Sequence, residues 1–230
     1  MSSKFTFNDH SNLRGKHALF APSQSAWLRY EDDKIADRVL NQYRTTLGTE
    51  IHDFAASQIE LRHKYTSLKD LIRAIESYIY CKYMYLSDDL VVGDYAKKII
   101  SHLNNIPKEV FEAVQCYINH GVGFRMTTEQ ALVYSEHVFG HADTISFRNN
   151  FLRIHDLKTG SNPAHMEQLE VYAALFCLEY KVKPSDIEIE LRLYQWDGVE
   201  IENPNSEVLV PIIDKIITSE KIAADIEKEI

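Results

Sequence analysis

Apolar residues in the first half of the chain recur at helical spacing. From Lys34 to about Arg62, His52, Ala55, Ala56 and Ile59 fall at i, i+3, i+4 and i+7, the stripe of one buried helix face. The same period runs through 66–86 after Thr66, which is suited to cap a helix start. Two shorter helical stretches follow near 90–104 and, opened by Pro107, near 107–119. Past Leu132 the period changes to two. Strands are expected at 131–138, 139–147 and 151–158, the last two joined through Arg148-Asn149-Asn150, because asparagine tolerates the left-handed conformation of a tight hairpin. A helix from Pro163 to Tyr180, strands at 187–196 and 199–202 around Asp197-Gly198, and a closing helix over 208–228 complete the order.

Helices first, then a meander, a helix, a hairpin and a helix make an α+β plan with a mixed, mostly antiparallel sheet flanked by helices. The 230 residues suit one domain, 1–230, with a mainly helical part over 17–125 that carries His52 and a sheet core over 126–230. At 45% hydrophobic and 26% charged the chain is neither disordered nor fibrous. Its formal charge of -9 speaks against a generally basic nucleic-acid coat. No run approaches the roughly 18 apolar residues needed to cross a bilayer, and the start MSSKFTFNDHSNLRG lacks an apolar signal region. A cytoplasmic protein with no membrane partner is expected. Cys81, Cys116 and Cys177 are too scattered for a disulfide framework or a closed zinc site, so buried, reduced thiols are expected.

The stretch 140–160, GHADTISFRNNFLRIHDLKTG, carries the candidate chemistry. Strand alternation puts Leu152, Ile154, Asp156 and Lys158 on one face, with the Cα atoms of Asp156 and Lys158 roughly 6.6 Å apart. Asp143 shares a face with Phe139 and Ile145 and comes beside Asp156 if the hairpin joins the apolar faces. Two carboxylates and a lysine on such a face are costly without a compensating ion, and a hard divalent cation removes the cost. An isolated Asp-X-Lys is usually an ordinary surface ion pair, and a lone His52 on an apolar face is usually a core histidine. Gln168 and Tyr172 lie four apart on one helix face, after the Asp-X-Lys strand.

In order, Gly48-Thr-Glu-Ile-His52, Gly140-His-Ala-Asp143, Asp156-Leu-Lys158-Thr-Gly160 and Gln168-x-x-x-Tyr172 form a series that resembles the RecB-like branch of the PD-(D/E)XK nucleases. The likeness is to phage-encoded exonucleases of that branch, relatives of the CRISPR-associated RecB-like exonucleases. The amino-terminal HALFAPSQSAWLRYEDDK, with Ser23 and Trp27 leading into a helix, is also similar to the opening of such proteins.

That resemblance implies a restriction-endonuclease-like core in which His52, Asp143, Asp156 and the backbone carbonyl of Leu157 bind Mg²⁺ or Mn²⁺. It implies that Lys158 orients the attacking water and offsets charge on the phosphate. Gln168 and Tyr172 would support the site or contact DNA, and Glu136, on the strand before Asp143, is an outer-shell or second-metal carboxylate. Relatives that carry an iron-sulfur cluster use four cysteines, and no cysteine follows Cys177, so no such cluster is expected. The implied activity is a metal-dependent DNA exonuclease in phage recombination or DNA processing. Alternatives are a nuclease-fold protein that binds DNA or a partner without cutting, and a nuclease acting on RNA. The partners implied are DNA, a phage single-strand annealing or recombination protein and, since phage exonucleases of this superfamily can form rings, a homo-oligomer. Arg14, Lys16, Arg29, Arg44, Arg125 and Lys158 could meet phosphates. Trp27, Tyr30 and Tyr43 could stack on bases, though core packing is the commoner use of such rings.

Overall fold

The first half of the chain is helical, and two of its helices begin where the sequence supplies a reason. In this computed structural model, which describes residues 8–9, 18–85, 90–160 and 165–229, α1 runs over Asp32–Glu60, α2 over Leu68–Tyr85, α3 over Leu90–Leu103 and α4 over Lys108–Gly123. The cap of α2 is Ser67 and not Thr66, since the Ser67 hydroxyl accepts from the Asp70 amide at 3.4 Å. Pro107 stands at the start of α4, its fixed φ suited to the position. A Cβ on Gly121 would come within 2.6 Å of Ile59, so α1 and α4 cross in close contact there. Arg14, Lys16 and Pro163 lie outside the described residues.

The strands are β1 (Thr127–Val133), β2 (Phe139–Arg148), β3 (Phe151–Leu157), β4 (Glu188–Gln195) and β5 (Gly198–Glu202), in that order across the sheet. β1 lies about four residues before its expected place. Ser135 is the cause: its hydroxyl accepts from the amides of His137 and Val138, and this local turn ends the strand. Glu136 therefore sits in the β1–β2 turn and not on a strand. Between β2 and β3, Asn149 and Asn150 both adopt positive φ, 52° and 57°, the two left-handed positions of a hairpin whose twist matches its strands. In the second hairpin the loop is Trp196-Asp197, and Gly198, at φ +135°, opens β5.

β3 and β4 pair in parallel, the other neighbours antiparallel, so the chain must cross over between them. The crossover is α5 (Glu167–Tyr180), and the chain closes with α6 (Ser206–Glu227), whose first turn is capped by the Asn205 side chain. Helices cover both sheet faces. Leu152 and Ile154 of β3 join Leu169, Ala173, Leu209 and Ile216 in one core. Burial of each large side chain there contributes about 1.5–3 kcal/mol. On the opposite face, His155 and Tyr194 pack against Tyr117, His120 and Phe124 of the α4 segment.

The chain divides into two compact units, Met1–Thr45 and Thr46–Ile230. In the first, the Trp27 indole donates to the Ala21 carbonyl at 3.1 Å and meets Phe20 edge-on, while Arg38 holds the Leu19 carbonyl and the Gln24 side chain. Trp27, Tyr30 and Tyr43 are half-buried, so none of the three is a core residue. Cys177 alone of the cysteines is buried; Cys81 and Cys116 are exposed, contrary to the reading of all three as interior thiols. Among the described residues no helix is long and apolar enough to cross a membrane.

Candidate metal and catalytic site

The hairpin register decides what meets at the end of β3. Thr144 pairs with His155, so the next step of the same register sets Asp143 opposite Asp156. On the other side Thr128 pairs with Thr144 and Gln130 with Ala142, which sets Glu129 opposite Asp143. Glu129, Asp143 and Asp156 thus form a row across three neighbouring strands, about 4.8 Å apart from strand to strand. Glu129 holds a left-handed backbone, φ 49°, inside a strand, a conformation uncommon outside glycine.

Helix α1 brings His52 to the row. Its Nδ1 lies 3.5 Å from Asp143 Oδ2, and the same oxygen accepts from the Leu157 amide at 3.0 Å. Gly48 makes the approach feasible, since a Cβ there would stand 3.0 Å from Thr159 Oγ1, just past the Asp-X-Lys strand. Lys158 Nζ lies 2.8 Å from Asp156 Oδ2 and donates to Gln168 Oε1 at 3.1 Å. Gln168 in turn donates to the Tyr172 hydroxyl at 3.2 Å. The Tyr172 ring is seated over Gly140, where a Cβ would be only 2.8 Å away. Lysine, glutamine, tyrosine and glycine thereby form one chain of contact from α5 to β2.

Burial sets the electrostatics. It raises the Asp156 pKa to about 6, with the Asp143 charge adding to the rise and Lys158 opposing it. Asp143 is likewise raised by burial, against the Leu157 amide and Lys158. His52 is held below the usual imidazole value by burial, partly offset by Asp156. The site therefore contains more negative charge than its buried setting accommodates.

Seven of the predicted residues come together: His52, Asp143, Asp156, Leu157, Lys158, Gln168 and Tyr172. Glu136 does not join them; it stands with His137 and Glu227 at the β1–β2 turn, the trio of potential ligand atoms that lie within 4.8 Å of one another among the described residues. The His52, Asp143 and Asp156 atoms do not close to that limit, because each carboxylate is drawn to its own partner: Asp143 to His52 and the Leu157 amide, Asp156 to Lys158. Asp156 Oδ2 is itself buried, and the Lys158 ammonium at 2.8 Å is the charge set against it. Two carboxylates, one of them almost fully buried, and an imidazole make a donor set that fits Mg²⁺ or Mn²⁺.

Two residues escaped sequence reasoning. Glu129 lies just before the expected start of β1, and its place opposite Asp143 follows only from the register. Tyr194 accepts the Lys158 amide through its main-chain carbonyl at 2.8 Å, and its hydroxyl sits between His155 Nδ1 and His120 Nδ1 at 3.2 and 2.8 Å. Burial takes the His155 pKa down to about 2, so this histidine stays neutral. Of the expected phosphate contacts, Arg29 and Arg44 belong to the first unit, and Arg125 stands at the α4–β1 junction. No protein-family model, no curated protein and no solved structure matches the chain.

Proposed function

We propose that the protein is a metal-dependent nuclease that hydrolyses DNA from its ends, a RecB-like member of the PD-(D/E)XK class. The observation that carries this reading is the single row in which buried Asp156 stands beside Asp143, with Lys158 at 2.8 Å and His52 closing the other side. An Asp-X-Lys pair on a surface would be solvated; here the Asp156 side chain is 2% exposed, and its excess charge invites a cation.

His52, Asp143, Asp156 and the Leu157 carbonyl would hold the ion, which supplies Lewis acidity toward a phosphoryl oxygen and lowers the pKa of water. The chain's own groups do the rest. Lys158, fixed between Asp156 and Gln168, donates to the attacking water and offsets negative charge as it gathers on the phosphate. Gln168 and Tyr172 hold the ammonium in place. The attacking water gives up a proton as it bonds to phosphorus, and the leaving nucleoside oxygen takes one up from solvent as its own bond to phosphorus breaks.

The test is incubation of the pure protein with linear DNA, circular DNA and RNA, each with Mn²⁺, Mg²⁺ or chelator. Metal-dependent loss of linear DNA with circular DNA spared is the expected result. Degradation of RNA alone would replace DNA by RNA as substrate, and no degradation under any metal would overturn the catalytic reading.

A further inference from the structure

Helices α1 and α4 end side by side, and both ends are built on an arginine where glycine is the easier residue. Arg62 follows α1 with φ 59° and Arg125 follows α4 with φ 52°. Each closes its helix with the same reverse turn, the His63 amide donating to Gln58 and the Met126 amide to Gly121, both at 2.9 Å. The left-handed backbone burdens any side chain with a Cβ, and α5 ends in the same way on Lys181, φ 54°, with the Val182 amide donating to Cys177 at 3.0 Å.

Further cations converge on the same turn. Arg62 reaches the Met126 carbonyl at 3.5 Å, and Arg148 donates to the Arg125 carbonyl at 2.8 Å. Lys64 Nζ lies 3.5 Å from where a Cβ on Gly123 would stand. Arg153 and Arg192 lie over the Phe124 ring, but both are tied to Glu190. Arg62, Lys64, Arg125 and Arg148 are exposed, and among the described residues no carboxylate pairs with any of the four. Each guanidinium that holds a carbonyl commits one N–H and keeps others for a ligand.

Three chain paths link this collar to the carboxylate row. Arg62 lies ten residues past His52, just beyond the end of α1, about 15 Å along the helix direction. Arg125 lies four residues before Glu129, at most about 13 Å along the chain, and five residues of strand separate Asp143 from Arg148, about 17 Å. At about 3.4 Å per nucleotide, this span covers four to five nucleotides. We propose that Arg62, Lys64, Arg125 and Arg148 form the track that holds the phosphate backbone of a nucleic acid four to five nucleotides from the row. The identity of the polyanion rests on the nuclease reading above; the surface itself can be tested without cleavage.

The experiment measures binding of a labelled 20-nucleotide DNA, single- and double-stranded, by fluorescence anisotropy in chelator between 50 and 200 mM salt. The Arg62→Gln, Lys64→Gln, Arg125→Gln, Arg148→Gln variant should lose at least about tenfold in affinity at low salt, and its slope of log affinity against log salt should flatten by about 3. Removing four other charges, Lys98, Lys215, Lys221 and Lys228, to glutamine should leave the slope intact. Arg62→Gly with Arg125→Gly relieves the backbone, so it should bind more weakly while its Tm holds or rises, an outcome a purely structural role cannot give. Wild-type affinity and slope in the quadruple variant, or no DNA binding by the parent protein, would overturn the track. Salt-dependent binding without cleavage under any metal would leave the track standing and remove the nuclease reading.

Discussion

Two clusters in this protein use the same kinds of side chain to opposite ends. At the end of β3, His52 meets Asp143 and Asp156; at the β1–β2 turn, His137 meets Glu220 and Glu227 of α6, with Nδ1 to Glu220 at 3.1 Å and Nε2 to Glu227 at 3.0 Å. In the first, burial pushes the histidine pKa down and the carboxylates up. In the second, the partners dominate: hydrogen bonds to Glu227 and Glu220 raise His137, and the Ser135 hydroxyl with His137 lowers Glu220. The exposed cluster satisfies itself, whereas burial leaves the other with an imbalance of charge that raises both of its carboxylates. Composition does not separate the two; solvent access and the placement of Lys158 do.

The sharpest way to break the contrast is to remove that lysine. Lys158→Ala should lower DNA cleavage by about a thousandfold while the circular dichroism spectrum is kept, and His137→Ala should stay within about twofold of wild type in the same assay. Comparable losses in both variants would erase the distinction drawn between the clusters.

Asp156→Asn should lower Mn²⁺ affinity at least tenfold by calorimetry, yet make the metal-free protein more stable at neutral pH by about 1–2 kcal/mol. The sign follows from the raised folded pKa. Below about pH 4 both folded and unfolded Asp156 are protonated and the penalty is absent; it develops as pH rises toward 6, where the unfolded chain ionises first. Urea unfolding at pH 4 and pH 7 should show wild type losing ground to the variant only at the higher pH. By the same linkage, Mn²⁺ binding to wild type should weaken as pH falls through about 6, because the ion must displace a proton from Asp156.

The smallest effect belongs to the turn. His137 has a raised folded pKa, so its contribution to stability is full below the ordinary imidazole range and fades as pH rises through the folded value. His137→Ala should therefore flatten a slight decline of Tm with pH in the alkaline direction. Added salt should mimic the substitution, since the pairs are solvent-exposed.

The parts of this arrangement that depend on local pattern were legible in the chain. Alternation put Asp156 and Lys158 on one face, the Asn149-Asn150 pair marked the hairpin that brings Asp143 across, and the stripe through His52 and Ile59 marked α1. What depends on distant pairing was not. Glu129 enters the row through the β1–β2 register, and Glu136 leaves it because the Ser135 hydroxyl captures two amides and turns the chain early. The parallel union of β3 with β4, which ties the Lys158 backbone to Tyr194, has no signature in either strand alone. Nor does the meeting of the α1 and α4 ends, which gathers Arg62, Lys64, Arg125 and Arg148 from three stretches of an acidic chain.

Gly140 shows how far such dependence reaches. It bears no functional group, but the Tyr172 ring occupies the space its side chain would fill, and Tyr172 leads through Gln168 to Lys158. In a library of variants selected for turnover, position 140 should be purged of every other residue as stringently as position 158, while position 137 drifts freely. A residue with nothing to donate would then rank among the most constrained in the protein, because it is the empty space on which the lysine's aim depends.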